Sequence, residues 1–155
     1  MNDNNIRIER AGDMDLVRQM FIEYQDYLNE DLCFQAFEKE LAELPGGYAP
    51  PRGDLWIATV DGAVAGVIGL RPLDDTACEM KRLYVRNEFR GLGLGRMLAE
   101  RCVVAARNAG FAIMRLDTLM RLTEAVSLYR SMGFYECEAY YNNPLEGVTY
   151  WEKRL

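Results

Sequence analysis

Apolar and polar positions alternate along Ile6-Arg-Ile-Glu-Arg10, which predicts a short strand. Leu16, Val17, Met20, Phe21, Tyr24 and Leu28 then recur at helical spacing, with Asp13 placed to cap a helix starting near Met14. A second, acidic helix is predicted over about 32–44. Leu44-Pro-Gly-Gly-Tyr-Ala-Pro-Pro-Arg-Gly53 reads as a loop, because Pro and Gly interrupt both regular structures. Leu55 to Val60 is a strand, Asp61-Gly62 a hairpin turn and Ala63 to Arg71 the return strand. A further strand runs from Thr76 to Val85. Leu94 to Asn108 carries a stripe of Leu94, Leu98, Cys102, Ala105 and Ala109, so it is a helix that Gly110 ends. Phe111 to Thr118 is a strand, and Thr123 is placed to cap a short helix ending at Met132-Gly133. Two last strands, about 134–141 and about 147–154, flank the turn residues Asn142-Asn-Pro144. The pattern predicts a three-layer α/β domain. Its early antiparallel hairpins separate it from a doubly wound parallel sheet.

A length of 155 residues predicts one domain spanning 1–155. Half the residues are apolar and 27% are charged, a globular balance with enough apolar surface for a core. The longest apolar run, Ala63 to Leu70, is broken by Gly66 and Gly69, whereas a membrane-spanning helix needs about 20 such residues. No membrane association is therefore expected. The first residues lack the basic and apolar blocks of a signal peptide, so the expected compartment is the cytoplasm. With no histidine, this chain by itself offers no Ser-His-Asp triad, Cys-His pair or His-ligated zinc. Any acid or base must be a carboxylate, Tyr, Lys or Cys. Cys33, Cys78, Cys102 and Cys137 form no CxxC pair, which predicts free thiols and no metal.

Net charge is −6, which disfavours nucleic acid as a partner. Residues 1–80 hold 6 Lys/Arg and 16 Asp/Glu, whereas residues 81–155 hold 12 and 8. Lys81, Arg82, Arg86, Arg90, Arg96, Arg101 and Arg107 crowd one stretch. Such a stretch suits a small polyanion; the plainer alternative is a solvated helix face.

The chemistry concentrates where a strand ends in Leu83-Tyr-Val-Arg-Asn-Glu-Phe-Arg-Gly-Leu-Gly-Leu-Gly-Arg96 and a helix begins. Glycines let backbone N–H groups converge, and a helix N-terminus adds unpaired donors, which together make a phosphate cradle. The dinucleotide fingerprint GxGxxG fails here, and no Gly-Lys pair exists for a P-loop. A tight strand–helix turn is the bland alternative. The remaining Arg90-x-x-Gly93-x-Gly95 resembles the cofactor-binding motif of the GNAT superfamily of N-acetyltransferases. Cys78-Glu-Met-Lys-Arg-Leu-Tyr-Val85 resembles the family's fourth strand. Ala125-Val-Ser-Leu-Tyr-Arg-Ser-Met-Gly-Phe134 is similar to its A-x-x-LY-x-x-x-GF signature. The resemblance extends over the whole chain and is closest to a bacterial subgroup with a Leu-Pro-Gly-x-Tyr-Ala-Pro-Pro loop. Many members carry Asn three residues before the Ala, where this chain has Leu122.

The resemblance implies an α/β/α fold with a mixed, mostly antiparallel sheet of about seven strands and about four helices. It implies an acyltransferase that moves an acetyl group from acetyl-CoA to a primary amine by direct attack in a ternary complex. No Cys–His pair supports a covalent acetyl-Cys route. Coenzyme A would be held by Leu83, Tyr84, Val85, Arg90, Gly91, Leu92, Gly93, Leu94, Gly95 and Arg96. Tyr129 matches the acid that protonates the leaving thiolate, with core packing as its other reading. Glu79 matches the carboxylate base; a water relay, with Glu79 paired structurally, is the alternative. Backbone N–H groups near Leu83 to Val85 would polarise the thioester carbonyl. The acceptor pocket draws on Tyr24, Gln35, Arg71, Tyr141 and Asn142. The acceptor is expected to be a small-molecule or peptide amine, with a homodimer through the late strands left open. A noncatalytic acyl-CoA-binding regulatory module on the same fold is the rival reading.

Overall fold

The computed structural model describes residues 4–32 and 36–155. The first strand, β1 (Ile6–Arg10), leads into α1 (Met14–Leu28). The Asp13 carboxylate accepts from the Asp15 and Leu16 amides at 3.0 and 3.2 Å, so the predicted cap is present. Helix α2 covers only Phe37–Glu43, shorter than predicted. Ala36 precedes it in a left-handed conformation, and Leu44 turns extended ahead of Pro45, as the residue before a proline tends to. Strands β2 (Asp54–Val60) and β3 (Ala63–Pro72) form the predicted hairpin. Asp61 and Gly62 sit at φ 50° and 83°, the paired positive values of a two-residue turn that follows strand twist.

Strand β4 (Ala77–Val85) pairs antiparallel with β3 and parallel with β5 (Ile113–Leu119), the crossover between them being α3 (Leu94–Asn108). Helix α4 (Thr123–Ser131), β6 (Tyr135–Cys137) and β7 (Val148–Arg154) complete the chain. Thr123 is the first helical residue of α4 and not its cap; Leu122 takes the cap position without a side-chain bond. The strand expected over about 134–141 stops at Cys137. Tyr140 and Tyr141 instead leave the ladder and send their hydroxyls to carboxylates on β4 and β5.

The sheet order is β1-β2-β3-β4-β5-β7-β6, with β4–β5 the parallel pair. Alternation along the strands divides the core in two. Trp56, Ala58, Ile68, Leu70, Met114 and Leu116 face α3 and α4. Leu55, Ile57 and Val67 face α1 and α2. This is the predicted three-layer α/β/α domain, with seven strands and four α-helices among the described residues. No helix among them is long and apolar enough to cross a membrane.

Candidate active site

The parallel ladder between β4 and β5 ends at the pair Glu79↔Arg115, and beyond it the strands separate. In the β3 ladder the register slips between the pairs Val67↔Tyr84 and Gly69↔Lys81, and in that stretch of β4 Arg82 takes φ 62°. A non-glycine residue in that region marks a bulge that turns β4 away from its neighbour. The gap becomes a cavity of about 530 Å³ running between Met80–Val85 and Leu116–Leu119. Helix α1 and Leu145 wall one side; α4 and the start of α3 wall the other.

At the α3 end, Gly91 and Gly93 adopt φ 85° and 80°, backbone that side chains rarely tolerate. A Cβ on either would point into open space. Gly93 is the N-cap of α3 and supplies no side-chain bond to the first amides, which leaves donors at the helix start facing the cavity. Arg90 and Arg96 flank them. Arg90 bonds the Val85 carbonyl at 3.2 Å and lies 4.4 Å over the Tyr27 ring; Arg96 reaches Ser131 at 2.5 Å.

The floor of the cavity is a cluster of six charges, of which Lys81, Arg82 and Asp117 line it. Arg82 holds Glu40 with two hydrogen bonds of 3.0 Å. Arg71 bonds Glu79 at 2.9 Å and approaches Glu40 at 3.6 Å. Lys81 lies 3.9 Å from Glu79 and 3.8 Å from Asp117. Three cations thus meet three carboxylates, the balance that lets charge stay buried. Burial works to raise the Glu40 carboxyl, but Arg82, Arg71 and Lys81 outweigh it and hold it below the ordinary range. Burial pulls the Lys81 ammonium down to about 8, with Arg82 adding to the effect and Glu79 and Asp117 opposing it. The segment after β6 is latched onto this cluster. The Tyr140 hydroxyl donates to Glu79, the Tyr141 hydroxyl to Asp117, and the Asn143 amide to Asp117 at 2.7 Å.

Tyr129 reaches the cavity from α4, its ring edge-on to Phe134 at 5.7 Å. Burial, reinforced by Tyr24, Cys102 and Asp117 nearby, raises its hydroxyl well above the usual phenol value, so it stays protonated. Burial also pushes the Cys78 thiol up to about 12 and that of Cys102 far up, which makes both poor nucleophiles.

Of the residues predicted to hold a cofactor, all line the cavity except Leu92, whose side chain points out, 37% exposed. Tyr24 and Tyr129 also line it. Glu79 is only 1% exposed and lies below the lining, between Arg71 and Tyr140. Arg71 and Tyr141 sit beneath the cavity in the charge cluster, and Asn142 faces solvent. Gln35 lies outside the described residues. Sequence reasoning missed Glu40, Asp117 and Asn143, and counted Lys81 and Arg82 in the basic stretch without their carboxylate partners. The one signal for Asp117 was a carboxylate inside the strand Ile113–Leu119, where the neighbouring Leu116 and Leu119 are buried.

Residues 14–134 match the acetyltransferase (GNAT) family. An uncharacterized N-acetyltransferase of Schizosaccharomyces pombe is 39% identical, over 97% of this chain and 95% of its own length. Among solved structures, an acetyltransferase of Streptococcus agalactiae superposes with a TM-score of 0.80 at 22% identity, covering 97% of this chain and 98% of that one. A Salmonella typhimurium protein solved with its cofactor acetyl-CoA gives 0.69 at 19% identity, covering 97% and 94%.

Proposed function

Because this chain belongs to the acetyltransferase (GNAT) family, we propose that it transfers an acetyl group from acetyl-CoA to a primary amine by direct attack. The observation that carries the reading is the loop–helix cradle opening into the gap between β4 and β5. Gly91 and Gly93 leave space where side chains would stand, and the uncapped α3 start and Arg90 and Arg96 supply donors and charge for a pyrophosphate. These residues fit coenzyme A, which when bound supplies an activated acetyl thioester.

Backbone amides between Leu83 and Val85, on the half of β4 that has parted from β5, would orient and polarise a carbonyl in the gap. Tyr129 donates its phenolic proton to the departing sulfur. The raised thiol pKa values of Cys78 and Cys102 favour direct transfer over a covalent cysteine route. Glu79 acts as a positioning residue, since its carboxylate is held by Arg71 at 2.9 Å and by the Tyr140 hydroxyl. Proton loss from the acceptor then passes through solvent in the cavity. Glu79→Gln should raise the acceptor KM by loosening the Tyr140 latch while the pH–rate limb stays in place. A displaced limb would return Glu79 to the role of base.

Gly93→Val tests the reading as a whole. It sets a side chain into the cradle, at a φ of 80° that also strains it. Gly110→Val carries comparable strain at φ 90°, at the far end of α3 and away from the cavity. Calorimetry should show coenzyme A affinity lost in Gly93→Val and retained in Gly110→Val. Equal affinity in the parent and in Gly93→Val would remove the cradle, and with it this function.

A further inference from the structure

The cavity's second end, on the α1 side of the sheet, has a composition that selects among amines. Its wall is Leu28, Leu32, Leu119, Leu122 and Leu145, which pack into one cluster with Tyr24 beside them. The basic groups that reach this end each stand beside a carboxylate. Arg82 meets Glu40 at 3.0 Å, Lys81 meets Asp117 at 3.8 Å and Arg121 meets Glu30 at 3.8 Å. Among the described lining residues two are acidic, Asp117 and Glu124, and Glu124 belongs to the opposite end with Arg96, Ser127 and Ser131. Asp117 is thus the carboxylate at the leucine end. Its orientation is set by the Tyr141 hydroxyl and the Asn143 amide.

Asp117 and Tyr129 line the same cavity. A carboxylate on the acceptor would have to take a cation from Glu40, Glu30 or Asp117 and leave that acid uncompensated, whereas Lys81, 3.9 Å from Glu79, keeps a partner when an ammonium takes Asp117. A second ammonium remote from Asp117 would meet leucines. An apolar body gains by leaving water against the same wall.

Resting on the acetyl-transfer reading above, we propose that the acceptor is a primary monoamine with an apolar or aromatic body, its ammonium seated on Asp117 and its body against the leucine wall. The ammonium first gives one proton to solvent. The nitrogen then bonds to the acetyl carbonyl carbon as the C–S bond breaks with its electron pair on sulfur. The nitrogen's surplus proton replaces the one that Tyr129 hands to sulfur. The products are an amide, free coenzyme A and one proton.

Phenethylamine, spermidine and L-glutamate are the probes, each supplied with acetyl-CoA after coenzyme A binding has been confirmed by calorimetry. The expected kcat/KM for phenethylamine exceeds that for the other two by about 10–100-fold, the cost of leaving a charged group unpaired in a closed site. Phenethylamine should bind the coenzyme-A-loaded protein, and Asp117→Asn should weaken that binding by about 10-fold or more. Leu145→Glu, on the partly exposed latch segment, tests the wall and leaves the six buried charges in place. It should shift the ratio of rates toward spermidine. Equal or better use of spermidine or glutamate overturns the proposal, as does failure of phenethylamine to bind a protein that holds coenzyme A. An unchanged ratio in Leu145→Glu overturns it too. Failure to bind coenzyme A removes the acetyl-transfer reading itself, and this proposal with it.

Discussion

Tyr129→Phe should lower kcat by at least about 10²-fold while coenzyme A affinity changes little. General acid catalysis is worth about 10²–10⁴-fold. The lower part of that range applies because burial makes this phenol a weaker acid than a free one. Without the hydroxyl, sulfur must depart as a bare thiolate. The phosphate-binding elements lie at the α3 end and do not involve this group. The ring itself remains packed on Phe134 at 5.7 Å, so the fold should survive the change. The measurement is kcat with single-turnover kinetics, beside the coenzyme A dissociation constant. A normal single-turnover rate would exclude Tyr129 as the acid and leave it a core residue.

Glu40→Gln should cost about 3–5 kcal/mol of folding stability, the usual penalty for stranding one member of a buried ion pair. The Glu40 and Arg82 side chains are 9% and 2% exposed, and Arg82 would lose its carboxylate while remaining enclosed. Arg71 and the Tyr48 hydroxyl, 3.1 Å from Glu40, would lose a partner as well. A loss of that size is a large fraction of the roughly 5–15 kcal/mol that holds a domain folded. The sign with pH follows from the lowered Glu40 pKa. The unfolded carboxyl titrates near 4.5 and the folded one lower, so the stabilisation is complete above that value. It is lost as pH falls through the folded pKa. Urea midpoints between pH 7 and 3 should therefore fall further in the parent than in Glu40→Gln. Parallel curves would show that Glu40 is not the charged partner of Arg82.

The charge segregation along the chain takes on a different meaning in three dimensions. Acidic residues of the first half do not simply form an acidic face. Glu23 bonds Arg86 at 2.7 Å and Glu40 bonds Arg82, so much of the apparent basic stretch is neutralised within the molecule. Lys81 and Arg82 line the cavity with carboxylate partners beside them, whereas Arg90 and Arg96 face it at the glycine loop. Sequence alone had no means to divide these arginines. Glu23 and Arg86 are 63 positions apart, and no local pattern links residues at that distance.

Local signals determined a large share of this protein unaided. Asp13 caps α1, Asp61-Gly62 turns the hairpin, and Gly110 and Gly133 at φ 90° and 92° end their helices. The strand–glycine–helix order around Gly93 and the helical position of Tyr129 were legible for the same reason. Each depends on bonds or dihedrals within a few residues of itself. Tertiary structure alone decided the floor of the site. Glu79 looks like an open catalytic carboxylate along its strand. Tyr140, 61 positions later, covers it, and Arg71 binds it from the neighbouring strand. Asp117 became the carboxylate at the cavity's leucine end only because the β4–β5 ladder parts after Glu79↔Arg115 and Asn143 folds back to hold it. A buried charge is stable only when packing brings it a counter-charge, and which side chains meet is a property of the assembled sheet.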